Sequence, residues 1–193
     1  MAQKIKYTVF STKWGFFCFA VTGEGICRTL LPRPKRSVAT KILLGTIKNG
    51  VFDKNLLGRL QKKIVAYFDG STIDFSEFRL DLDGSSTFAA TCLTACRKIG
   101  YGQTASYGQL ASLANRPGAA RAVGTVMAKN RLPLIVPCHR IIRSTGQIGG
   151  FSAAEGPKIK LKLLQLEGYR AIGGSVMYRG KDASHLSSRV KSI

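Results

Sequence analysis

Residues 133–142, Pro-Leu-Ile-Val-Pro-Cys-His-Arg-Ile-Ile, constrain this chain more than any other stretch. Leu134, Ile135 and Val136 form an apolar run that predicts one short buried strand or turn. Pro137 fixes its own φ and lacks an N–H, so regular structure should break there. A soft nucleophile (Cys138), a proton carrier (His139) and a permanent cation (Arg140) follow at once, before Ile141 and Ile142 return to core-like character. Chemistry held in a dry, rigid place is the expectation. A free cysteine is by default a small core hydrophobe. The neighbours shift that balance, because a base or a cation makes a thiol nucleophilic. Adjacency is not contact, however. Neighbouring side chains of an extended chain point to opposite faces, so His139 needs a turn or a bridging water to reach the sulfur.

The tetrapeptide Pro137-Cys138-His139-Arg140, with Ile-Val before it and Ile-Ile after it, resembles the active-site signature of the O6-alkylguanine-DNA alkyltransferases, the methylated-DNA–protein-cysteine methyltransferases. The resemblance runs from about Gly102 to Gly168, with a looser match over the N-terminal part. It implies a repair protein that moves the alkyl group of O6-alkylguanine, and of O4-alkylthymine, to its own cysteine. A lesion-binding protein without repair activity and an alkylation-sensing helix-turn-helix regulator are the alternatives. Retention of Cys138 weighs against the first, and the lack of an additional regulator-like DNA-binding domain against the second.

Charge points to the same partner independently. Thirty Lys and Arg face ten Asp and Glu, for a formal net charge of +20. After Asp83 no carboxylate appears until Glu155, while Arg97, Lys98, Arg116, Arg121, Lys129, Arg131, Arg140 and Arg143 all lie between them. A stretch holding only cations predicts a positive face, and nucleic acid is its commonest partner. No amphipathic basic helix with an aromatic face is evident, so a membrane surface is the weaker reading. No apolar run reaches the length of a membrane span and no export signal opens the chain, so a cytoplasmic, monomeric protein is expected. The five cysteines, without CxxC pairs, do not read as a disulfide framework. Only His139 and His185 stand beside them as zinc ligands, and neither a metal nor a cofactor is expected.

The predicted fold is an α/β N-terminal domain over residues 1–84, followed by a mainly helical, winged-helix-like C-terminal domain over 85–170 that contains a helix-turn-helix. A basic, mobile tail is expected over 171–193. Tyr7–Ser11, Phe16–Val21 and Ile26–Leu31 read as strands. Residues 32–48 read as a connection, and Phe75–Leu82 as a weak further strand. Leu56, Leu57, Leu60, Ile64 and Phe68 keep helical spacing up to Gly70. Nothing in this first part has catalytic spacing. Beyond it, Ser85 and Ser86 are candidate caps of a helix carrying Phe88, Cys92, Ala95 and Ile99. A second helix spans Tyr107–Ala114 and a third Ala119–Lys129, the two joined by Asn115-Arg116-Pro117-Gly118. Such a pair in a basic region predicts a helix-turn-helix. On the third helix Ala119, Ala120, Ala122 and Gly124 are small and Arg121 is the one long side chain. That face suits close approach to the narrow minor groove or tight packing of two helices. Pro157 opens and Gly168 closes a last helix, and Glu167 in its final turn opposes the helix dipole, which calls for a compensating partner.

The resemblance assigns roles to these positions. It implies that the third helix enters the minor groove of double-stranded DNA and that Arg121 fills the gap left by a flipped nucleotide. It makes Asn130 the hinge between that helix and the cysteine segment, and brings Ser152, in the Gly149–Ser152 loop, near the guanine O6. Glu167 orients His139, which deprotonates Cys138 through a water, and Tyr107 donates to the departing guanine. Arg140 is expected among the DNA-contacting cations. The product is a thioether, with no carbonyl for water to attack, so one transfer per molecule is implied.

Overall fold

The computed structural model describes residues 4–153, 156–173 and 175–178. Three antiparallel strands, β1 (Lys6–Thr12), β2 (Gly15–Val21) and β3 (Ile26–Arg33), form a meander. The short β4 (Val51–Phe52) adds in parallel to β1, so the order is β3-β2-β1-β4. β2 is central and buried on both faces, with Phe17, Cys18, Phe19 and Ala20 all fully inaccessible. Its alternation explains how two helices can use one strand. Cys18 and Ala20 pack under α1 (Arg36–Leu44) with Ala39 and Leu43. Phe17 and Phe19 pack on the other side with Leu60, Ile64, Tyr67 and Phe68 of α2 (Gly58–Phe68).

Two expectations for this half are corrected. Residues 32–48 contain α1, whose stripe Val38, Ala39, Ile42 and Leu43 is short and masked by two prolines and several cations just ahead of it. Residues 75–82 form no strand beyond a single bridge between Leu80 and Ile26. Their carbonyls are spoken for: Arg97 donates to those of Phe75, Ser76 and Phe78.

The second half starts with α3 (Thr87–Arg97), where Ser86 Oγ accepts from Ala89 N–H at 3.2 Å as the expected cap. β5 (Ala105–Ser106) leads into α4 (Tyr107–Leu113), which opens on a reciprocal capping box of Ser106 and Gln109. α5 (Ala120–Ala128) follows a tight turn and buries Val123 and Met127. The apolar run before Pro137 forms a turn in which Leu134 holds φ at +78°, a strain of roughly 1–3 kcal/mol for a non-glycine residue. Residues 138–140 make a single 3₁₀ turn, and β6 (Ile141–Ile142) then pairs in parallel with β5. α6 (Pro157–Leu166) is capped by Glu167.

Beyond α6 the expected tail is corrected in part. β7 (Tyr169–Ile172) and β8 (Ser175–Tyr178) form an antiparallel hairpin, with the Tyr169 and Tyr178 rings edge to face at 5.3 Å. The remainder of that call, residues 179–193, lies outside the described residues. The expected boundary at residue 84 falls in a turn, yet one apolar core crosses it: Phe19, Tyr67 and Phe68 join Cys92, Val123, Cys138 and Leu163 in a single cluster. Among the described residues no helix is long and apolar enough to cross a membrane.

Candidate active site

The 3₁₀ turn at 138–140 solves the adjacency problem. It turns Cys138 toward Asn130 and carries His139 and Arg140 the other way, both onto Glu167. Cys138 is 5% exposed and receives a hydrogen bond from Asn130 Nδ2 at 3.1 Å. The same Asn130 nitrogen donates to Val136 carbonyl at 3.0 Å, while its oxygen accepts from Leu132 N–H. Asn130 thus ties the end of α5 to the segment that carries the thiol.

His139 is fully buried and its Nε2 lies 2.8 Å from Glu167 Oε1. A carboxylate can only accept, so Nε2 carries the proton and Nδ1 holds a lone pair. That Nδ1 is buried and has no protein hydrogen-bond partner among the described residues. Burial lowers the imidazole pKa more than the Glu167 charge raises it, which leaves a neutral base.

Glu167 is 1% exposed and collects donors from four residues. Besides His139 it accepts from Tyr67 hydroxyl at 2.6 Å, from Arg140 Nη2 at 2.9 Å and Nε at 3.0 Å, and from Gly102 N–H at 3.3 Å. Burial alone would raise this carboxyl, but His139 and Arg140 outweigh it and hold it well below the usual carboxylate range. The compensating partner that its position at the end of α6 requires is therefore a cluster.

Arg140 is corrected. It is 6% exposed, grips Glu167 and donates from Nη1 to Ile99 carbonyl at 2.6 Å, so it faces the interior and not DNA. Two further cations of the basic stretch are also tied to carbonyls, Arg97 as above and Arg131 to those of Asp81 and Asp83. Lys98, Arg116, Arg121, Lys129 and Arg143 remain exposed. Nor is Arg140 the cation that acts on the thiol. That group is Lys160 on α6, fully buried, whose ammonium donates to Ile141 carbonyl. Burial pushes the Cys138 thiol up, while the Asn130 hydrogen bond and the Lys160 charge pull it down.

Cys138 opens onto a cavity of about 300 Å³. Tyr107, Gly124, Met127, Gly150, Phe151 and Ser152 form its other walls, so α4, α5 and the expected loop converge on the sulfur. The Tyr107 ring fits against Gly124, where an added Cβ would lie 3.8 Å away. Ala120 is half-buried, and Arg121 and Ser152 are exposed.

Two residues of this site escaped sequence reading. Tyr67 lies in the apolar stripe of α2 and reads as core, with its partner 100 positions away. Lys160 did leave a signal, a lysine three and four positions before Leu163 and Leu164 on the buried face of α6.

Comparisons with known proteins agree with this geometry. The family model described as 6-O-methylguanine DNA methyltransferase, DNA binding domain, matches residues 87–169. A methylated-DNA–protein-cysteine methyltransferase of Mycobacterium leprae is 37% identical over 131 residues, 68% of this chain and 74% of that protein. One from Methanosarcina acetivorans is 30% identical over 84% of this chain and 97% of its own length. The crystal structure of Mycobacterium tuberculosis OGT in complex with DNA superposes with a TM-score of 0.69 at 31% identity, covering 84% of this chain and 92% of that one.

Proposed function

Because the chain belongs to the methylated-DNA–protein-cysteine methyltransferase family, we propose that it repairs DNA by moving the alkyl group of O6-alkylguanine onto its own Cys138. One observation carries this reading: the thiol forms a wall of the 300 Å³ cavity, and the next residue in the chain, His139, is buried and paired with Glu167. A base reaches such a cavity only after leaving the duplex stack, so the damaged nucleotide is flipped. α4 and α5 act as the helix-turn-helix, with α5 in the minor groove. Ala120 and Gly124 permit the close approach, and the exposed Arg121 takes the place of the extruded base. A binding-only reading gives the buried thiol, imidazole and carboxylate no task.

The chemistry follows from which atoms are already committed. His139 Nε2–H is held by Glu167, so Nδ1 receives the thiol proton through a bridging water. The thiolate attacks the O6-alkyl carbon in line. An S–C bond forms as the C–O6 bond breaks, and the released electron pair leaves on the guanine. Tyr107 donates to that base, and the proton it passes on makes up for the one taken from the thiol, so a neutral guanine is left in the DNA. The thioether left on Cys138 offers water no carbonyl, and one transfer per molecule results. Its site of action is the cytoplasm, with access to the chromosome.

Intact mass after incubation with an O6-methylguanine duplex tests the reading. Each molecule should gain one methyl group, mapped to Cys138, and activity should stop when the protein is consumed. Label on another cysteine, or turnover beyond one equivalent, sinks it.

A further inference from the structure

Cys138 borders a second cavity, of about 210 Å³, on the side facing the N-terminal sheet. The two cavities share Cys138, Phe151 and Ser152 as a common wall. Their linings differ in charge. The second contains Arg28 and Arg33 of β3 and Arg131 of the active-site loop, with no carboxylate among its lining residues. The Nε of each of these arginines is buried and has no protein hydrogen-bond partner among the described residues. Arg28 and Arg33 also form no ion pair among the described residues. Arg131 is anchored through Nη2 to two carbonyls. β3 is fastened to the same loop, since Thr29 N–H donates to Arg131 carbonyl at 3.0 Å and its hydroxyl to Pro133 carbonyl at 2.7 Å. The cavity is therefore rigid as well as cationic. Like charges crowded into a half-buried space repel, and an anion would relieve that repulsion.

The reaction says which anion can reach it. In-line displacement puts sulfur, carbon and O6 on one axis, so everything beyond the reacting carbon is directed sideways. Guanine O6 lies on the edge of the base opposite its bond to the sugar. A cavity bordering the sulfur is then met by the alkyl substituent and not by the DNA backbone. Resting on the proposed alkyl transfer, we infer that the Arg28–Arg33–Arg131 cavity is an acceptor site for O6-alkyl groups ending in a carboxylate, with carboxymethyl the smallest. A carboxylate beside a forming thiolate is ordinarily repelled, and the guanidiniums offset that repulsion. The step balances as for methyl: S–CH2 forms, CH2–O6 breaks, the thiol proton is made up at the guanine, and the carboxylate keeps its charge on an S-carboxymethyl thioether.

Single-turnover rates of the full chain on duplexes differing only in the lesion provide the test. O6-methylguanine serves as reference, and O6-carboxymethylguanine is compared with its neutral carbamoylmethyl counterpart. The charged lesion should react about tenfold faster than the neutral one, the effect of one hydrogen bond to a charged group. The double variant Arg28→Gln, Arg33→Gln should bring that ratio close to one, while Arg28→Lys, Arg33→Lys should keep most of it. The same preference should hold for the free nucleosides, which carry no flanking phosphate. A ratio at or below one in the wild type overturns the inference while methyl transfer stands. A double Gln variant that slows all three duplexes alike with the ratio intact also overturns it, in favour of a backbone-phosphate role. Absence of methyl transfer by the wild type overturns the proposed function itself, and this inference with it.

Discussion

The Tyr67 hydroxyl donates to Glu167 Oε1 at 2.6 Å, so the N-terminal half supplies a donor to the carboxylate behind the reactive centre. Tyr67 is fully buried and its ring packs edge-on or tilted against Phe68, Phe75 and Tyr101. Tyr67→Phe removes one hydroxyl and leaves that packing in place. The loss of a hydrogen bond to a charged group should cost about 1.5–3 kcal/mol of stability. Methyl transfer should slow as well, because Glu167 then has one less restraint on its orientation. Denaturant midpoints and single-turnover rates measure the two effects. An unchanged rate would make Tyr67 structural only.

Acid should destabilise the protein in two stages. His139 and Glu167 both titrate lower in the folded protein than in the unfolded chain. Each therefore binds more protons when unfolded, and stability falls as pH falls. For His139 the loss begins below its ordinary value of 6.5. For Glu167 it begins below 4.5 and continues toward the lower folded value. Unfolding free energies over a pH series should show both declines, and Glu167→Gln should remove the lower one. A variant whose pH profile parallels the wild type below 4.5 contradicts the assignment.

Lys160 gives a rate prediction with its own pH signature. Burial pushes its ammonium down to about 8, against the raising effect of Cys138 and Cys96. Lys160→Met removes a cation that lowers the Cys138 pKa, so the thiolate fraction and the transfer rate should drop near neutrality. Above about pH 8 the wild-type lysine loses its own proton, and the two proteins should converge. A rate ratio that is constant with pH would show that Lys160 acts by packing alone.

What could be read from the sequence was what lies close together in it. The strands of the meander, α2 and the capped helices α3 and α4 follow from local pattern, and the reactive triplet from three consecutive residues. Arg140 was misassigned for the same reason. Its charge sits two positions from Cys138 in the chain, but the 3₁₀ turn sends it to a carboxylate 27 positions away. Tyr67 could not be recognised from its surroundings in α2, because its function depends on a partner that only the fold supplies. α1 was hidden by the prolines and cations that precede it, although its two buried residues hold the sheet's outer face.

The last prediction sets Arg121 against Arg140, two arginines that the sequence placed together on DNA. Arg121 is exposed on α5, while Arg140 is buried on Glu167. Arg121→Ala should leave folding unchanged and reduce the salt dependence of duplex binding by up to about one phosphate contact. It should also slow repair of a duplex more than reaction with a free alkylated base, since its task is to offset unstacking worth a few kcal/mol. Arg140→Met breaks a buried ion pair, which costs about 3–5 kcal/mol because a charge is stranded. That loss belongs in the denaturation curve, and the folded fraction should bind DNA with the wild-type salt slope. Equal slowing of duplex and free base by Arg121→Ala would instead assign Arg121 to chemistry or folding. A reduced salt slope for folded Arg140→Met would return Arg140 to the DNA surface.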